Sequence, residues 1–86
     1  MGLASNGRQI MKSIEAAKII KAHVNARDTK ASAEGLNSTA YTLRRVGDAV
    51  SADVEDIADD VLAGRGAGSA AASRKLIRVA KAVANV

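Results

Sequence analysis

The stretch LNSTAYTLRRVGDAVSADVEDIADDV, from Leu36 to Val61, carries a regular apolar repeat around which the rest of the chain is expected to be organised. Its apolar and small residues recur at alternating steps of four and three, the 3.5-residue period of a helix that keeps one seam against a neighbour. The sequence predicts one long helix over residues 32–62, about 45 Å in length at 1.5 Å per residue. The predicted association seam consists of Leu36, Ala40, Leu43, Gly47, Val50, Val54, Ile57 and Val61.

The residues before this stretch predict a first helix over about 8–25, preceded by a flexible lead over 1–7. One face of that helix carries apolar residues at intervals of three or four, namely Ile10, Ile14, Ala17, Ile20 and Val24. Asp28 and Thr29 then favour a turn, because their short polar side chains compete for backbone hydrogen bonds. A continuous bent helix is the alternative for this segment.

The residues after the long helix predict a glycine-rich hinge over 64–69, because glycine just past the last turn is a preferred helix stop. Residues 70–86 predict a basic amphipathic segment that is helical over about 70–84. The overall prediction is an all-α protein of three helices in a single small domain, residues 1–86. These helices are expected to form a hairpin or bundle, or a coiled-coil assembly.

The composition limits the core that one copy of the chain can form. The chain has 86 residues, one aromatic residue and no cysteine, so neither a disulfide nor a cysteine-based metal site can add stability. Its apolar content depends largely on alanine and valine, which bury little surface each. A core of this size stabilises a monomer weakly. We therefore expect a homo-oligomer or a larger protein assembly.

Charge separates along the chain into three blocks. Residues 1–30 carry six basic and two acidic groups, residues 31–64 carry two and seven, and residues 65–86 carry five and none. We expect the basic last helix to fold back along the acidic half of the long helix. Exposed ion pairs contribute only about 0–1 kcal/mol each, so they would select the orientation more than stabilise it.

Motifs that carry enzyme or metal chemistry do not fit. His23 is the one histidine, so no second histidine or cysteine can join it as a zinc ligand. A single histidine on a different helix from most of the serines is also weak support for a nucleophile–base pair. The acidic cluster over 53–58 lacks the glycine that a calcium loop requires at its sixth position. The glycines of 64–69 lack the spacing of phosphate-binding loops. We predict a non-enzymatic protein with no metal, no cofactor and no small-molecule substrate.

Nucleic acid is the alternative partner. The formal net charge is +4 and the isoelectric point is about 9.9, which suits neutralisation of phosphates without sequence preference. A helix-turn-helix over residues 27–46 fits poorly, because Lys30, Glu34 and Arg44 fall at its apolar core positions. The candidate phosphate-binding residues are Arg65, Arg74, Lys75, Arg78 and Lys81.

A third alternative is a helix lying on an anionic membrane surface. Residues 73–86 lack the tryptophan and phenylalanine that anchor such helices, so a membrane is not the expected partner. No apolar run is long enough to span a bilayer, and the N-terminus lacks a signal-peptide core, which predicts a location in the cytoplasm or within a virus particle. The leading interpretation is a structural or assembly protein, a small multi-copy component of a virus particle or another large complex.

Overall fold

A computed structural model describes residues 11–84, and all regular secondary structure in that range is helical. The chain forms α1 (Ser13–Ala33), α2 (Ser38–Val46), α3 (Ala52–Leu62) and α4 (Ala70–Ala84). The all-α prediction is confirmed. The predicted lead over 1–7 and the first residues of the predicted helix over 8–25 lie outside the described residues.

Three of the four helices, α1, α3 and α4, pack against one another around one apolar core. Ile20, Leu76 and Val54 are among its largest fully buried side chains. The other buried positions are mostly alanine and valine, so the helices approach closely but each contact buries little area. The core consists of Ala16, Ala17, Ile20, Val24, Val50, Val54, Ala58, Val61, Leu76 and Ala80.

Helix α1 continues through the turn predicted near Asp28, so that turn and the predicted helix end at residue 25 are wrong. The Asp28 carboxylate accepts hydrogen bonds from Tyr41 Oη and Arg27 Nε, and these tertiary bonds replace competition with its own backbone. The helix ends instead at Ala33, and Gly35, which follows the C-cap Glu34, has a φ of 67° that suits the left-handed residue after a last turn. Leu36 N donates to Ala31 O at 3.1 Å and closes the motif.

The single long helix predicted over 32–62 is wrong, and the count of three helices is wrong with it. The chain turns at residues 34–37 and again at 47–51, which leaves α2 and α3 as separate helices. Asn37 Oδ1 accepts a 2.9 Å hydrogen bond from Ala40 N and caps α2. Ser51 Oγ accepts from Val54 N at 3.4 Å at the start of α3. Both caps stabilise helix starts inside the stretch where the repeat predicted an unbroken helix.

The last helix matches its prediction, since α4 spans Ala70–Ala84. The predicted hinge over 64–69 is the non-helical connection from α3 to α4, where Gly64 follows the C-cap of α3 and has a φ of 84°. Lys75 Nζ, on α4, donates to Asp53 on α3, so the basic helix does meet the acidic segment. None of the helices within residues 11–84 is both long and apolar enough to cross a membrane.

Candidate interaction surfaces and the Arg27 cluster

A cluster of ionisable side chains, the Arg27 cluster, joins α1 to the connection between α2 and α3. The Arg27 side chain is 6% exposed; its Nη1 donates to Asp48 Oδ2 at 2.9 Å and its Nε to Asp28 Oδ1 at 3.1 Å. His23 Nε2 lies 2.8 Å from Asp48 Oδ1, which requires the ring proton on Nε2. Arg27 Nη2 lies 3.5 Å from Glu55 Oε2 on α3. The cluster consists of His23, Arg27, Asp28, Asp48 and Glu55.

The charges of this cluster stabilise one another. Burial disfavours the charged guanidinium of Arg27, but hydrogen bonds to Asp28 and Asp48 outweigh it and raise its pKa. Burial likewise disfavours the ionised carboxylate of Asp48, yet hydrogen bonds from His23 and Arg27 hold its pKa below the ordinary value. Arg27, Asp28 and Asp48 are therefore ionised near neutral pH.

The geometry gives the Arg27 cluster a structural role. Its carboxylates form ion pairs with basic side chains, and His23, the one histidine of the chain, bonds to Asp48. Elsewhere in the described chain, the hydroxyls of Ser13 and Ser73 bond to each other at 2.7 Å rather than to a base. Within residues 11–84, no group of three or more His, Asp or Glu side chains is placed to hold a metal ion. The cluster holds the connection at 47–51 against α1.

Polar contacts attach α2 to the rest of the protein. Tyr41 Oη donates to Asp28 at 2.8 Å, and Arg45 Nη2 donates to Glu55 at 2.8 Å. Arg44 Nη2 lies 2.8 Å from Glu34 Oε1. None of the nine residues of α2 is buried. Helix α2 is therefore held by its polar side and contributes no side chain to the buried core.

The apolar side of α2 faces away from the bundle. Leu43 is 69% exposed and Val46 is 79% exposed. At about 100° per residue, both lie roughly 150° around the helix from the mean direction of the three polar contacts. Together with exposed Thr39 they form what we term the outer face of α2. This orientation is the reverse of a usual surface helix, whose apolar stripe faces the core.

A groove lies beside the outer face of α2. It has a volume of about 290 Å³ and runs between the end of α2 and the start of α3. Val46 belongs both to the groove wall and to the outer face, so the two features are continuous. The lining residues are Thr42, Arg45, Val46, Asp48, Ser51 and Ala52.

The predicted association seam divides at the break between α2 and α3. Its second half lies inward, since Val50, Val54 and Val61 are buried in the core and Ile57 packs against it. In its first half, Leu36 and Ala40 are half-buried, and Leu43 and Gly47 are exposed. No single face carries all eight residues. Val50 belongs to the monomer core, so a charge placed there tests folding before it tests association.

The predicted phosphate-binding residues also fall into two groups. Arg65 Nη2 lies 2.8 Å from Asp60 Oδ1, and Lys75 pairs with Asp53. Arg74, Arg78 and Lys81 are exposed and form no ion pair within residues 11–84. The structure brings these last three together on one side of α4, which we term the α4 basic stripe.

The sequence prediction missed Val46 and the Arg27 cluster. Val46 falls outside the 3.5-residue repeat, so a seam defined by that repeat passes over it. The distribution of charged residues did indicate the break between α2 and α3. Arg44 and Arg45 suit the end of a helix, whereas Asp53 and Glu55 suit the start of one, because helix dipoles attract cations and anions at opposite ends. The charge pattern therefore indicates two helices where the apolar repeat predicted one.

Comparisons of the chain with protein-family models, with curated proteins and with solved structures find no match.

Proposed function

We propose that this protein is non-enzymatic and acts by association of helices, with the outer face of α2 as the contact surface between copies. The single observation that carries the proposal is the orientation of α2, which turns Leu43 and Val46 into solvent and its polar side chains inward. Covering exposed apolar side chains with a second helix removes that surface from water, at about 25 cal/mol per Å².

A second copy of the chain is the partner that the local shape fits. The outer face and the groove of about 290 Å³ adjoin each other on one molecule and share Val46. A two-fold axis beside α2 would place Leu43 of each copy against the groove of the other, as self-complementary dimers require. Arg44 and Arg45 are already paired with carboxylates, which reduces the repulsion between two copies of the same helix.

The size of α2 sets the strength of this contact. A helix of nine residues is about 13 Å long, so the interface would fall below the roughly 1,200 Å² of stable specific complexes. One such contact is weak, and many copies bound side by side would gain by multivalency. We infer a role as a small multi-copy component of a larger assembly, and we propose the cytoplasm or a virus particle as its location.

Sedimentation velocity over about 1 µM to 1 mM tests the proposal, a range that spans weak association constants. We expect the wild-type chain to associate reversibly and Leu43→Glu to remain monomeric with an unchanged helical circular dichroism signal. Ile14→Glu is the matched control, because Ile14 is also a large apolar residue, 47% exposed, but lies on α1. A monomeric wild type at the highest concentration, or equal loss in both variants, would overturn the proposal.

A further inference from the structure

Beyond self-association, we propose that the α4 basic stripe binds the phosphate backbone of duplex nucleic acid without sequence preference. The stripe consists of Arg74, Arg78 and Lys81, at positions i, i+4 and i+7 of one helix. At about 100° per residue, all three lie roughly 140–160° around α4 from buried Leu76. They point away from the core as one group and extend over about 10 Å of helix axis, or three base-pair steps at 3.4 Å.

The acidic residues of the chain leave this stripe uncompensated. Four of the five carboxylates of α3 pair with other cations: Asp53 with Lys75, Glu55 with Arg45, Asp59 with Lys21 and Asp60 with Arg65. The fifth, Asp56, forms no ion pair with the stripe or with any other described residue. Helix α4 itself contains no acidic residue. The positive charge of the stripe is therefore available to an outside anion, and each phosphate that it neutralises releases a condensed counterion.

The surroundings of the stripe favour a nucleic acid over a membrane surface. The residues that flank it and are exposed are alanines, Ala70, Ala71, Ala82 and Ala84. The large apolar residues of α4 are used elsewhere: Leu76 is buried, and Ile77, Val79 and Val83 pack against the core. A helix that binds a bilayer surface inserts such side chains among the lipids, whereas those of α4 are buried or partly buried against the core. Small side chains instead allow the helix to approach a phosphate backbone closely.

Fluorescence anisotropy with a labelled DNA duplex, titrated at several salt concentrations, tests the proposal. For three phosphates neutralised, the slope of log K against log salt is expected near −2.7, which corresponds to about a 40-fold loss of affinity between 50 and 200 mM salt. Each single variant, Arg74→Gln, Arg78→Gln or Lys81→Gln, should reduce the slope by about one. The triple variant should abolish the salt-dependent binding.

Lys12→Gln, Lys18→Gln and Lys30→Gln combined give the matched control. They remove the same charge from exposed positions that run from the N-cap of α1, Lys12, to its last turn, and we expect less than about a threefold loss of affinity. Both triple variants change exposed residues, and circular dichroism checks that they fold. Equal losses in the two triple variants, a flat salt dependence, or no binding would overturn the proposal. Stronger binding to vesicles of phosphatidylcholine and phosphatidylserine than to the duplex would assign the stripe to membranes and overturn it as well.

Discussion

Arg27 Nη1 donates a 2.9 Å hydrogen bond to Asp48 Oδ2, and this contact fixes the connection between α2 and α3 against α1. Asp48 is 14% exposed and lies in the segment that the heptad repeat predicted as helix interior. The Asp48 carboxylate, turned inward here, pairs with the buried guanidinium of Arg27. The break at 47–51 is therefore held in place by contact with α1. Because of this break, α2 does not continue along the axis of α3.

Asp48→Asn is expected to lower the free energy of unfolding by about 2 kcal/mol, because it removes the ionised partner of buried Arg27 and of His23. Chemical denaturation followed by circular dichroism measures the change. Asp56→Asn is the matched control, since Asp56 is exposed on α3 and forms no ion pair within residues 11–84. We expect its effect to stay within about 0.5 kcal/mol. Equal effects of the two variants would contradict the structural role of the cluster.

The free energy of unfolding is expected to fall as the pH drops below about 4, near the ordinary pKa of an unfolded aspartate. Hydrogen bonds lower the pKa of Asp48 in the folded state despite the opposing effect of burial. The unfolded chain therefore binds more protons in this range, so stability is present above it and is lost as pH falls. Denaturation between pH 2 and 7 measures the profile, and Asp48→Asn should flatten its acidic limb. An unchanged limb in that variant would assign the acid sensitivity to other carboxylates.

Two glycines at helix ends are expected to respond oppositely to alanine. Gly35 has a φ of 67°, so Gly35→Ala should cost about 1 kcal/mol. Gly47 has a φ of −83°, and a Cβ there would meet only backbone oxygens at 3.8 and 3.9 Å. Gly47→Ala should therefore raise the free energy of unfolding by about 0.5 kcal/mol, because it restricts the unfolded chain. Thermal unfolding of both variants measures the difference. A larger loss from Gly47→Ala than from Gly35→Ala would show that Gly47 does need its freedom.

The sequence predicted the helical class and the last helix, because apolar spacing and the glycines at 64–68 are local signals. It also indicated that Val50, Val54 and Val61 lie against other helices, and they do so inside one chain. The prediction of one long helix was wrong because two separate helices can share the same 3.5-residue apolar repeat. Gly47 falls on a seam position, and Ser51 can begin a helix as readily as continue one.

The interaction surfaces were harder to predict, because they depend on which side of each helix faces the core and not only on where each helix lies in the sequence. Leu43 shares the repeat with Val50, yet only Val50 is buried. The break over 47–51 separates the two, and it is held by Arg27, twenty-one residues before Asp48. A contact at that distance leaves no periodic trace in the sequence.

Concentration-dependent amide chemical shifts, measured by nuclear magnetic resonance on the ¹⁵N-labelled chain, show which face of the protein is covered when copies associate. If copies associate through the outer face of α2, dilution from about 1 mM should shift the amides of Thr39, Leu43 and Val46 most. The groove residues Ser51 and Ala52 should follow, and the exposed side of α4 should change little. Constant shifts across α2, or changes concentrated elsewhere in the chain, would contradict association through the outer face of α2.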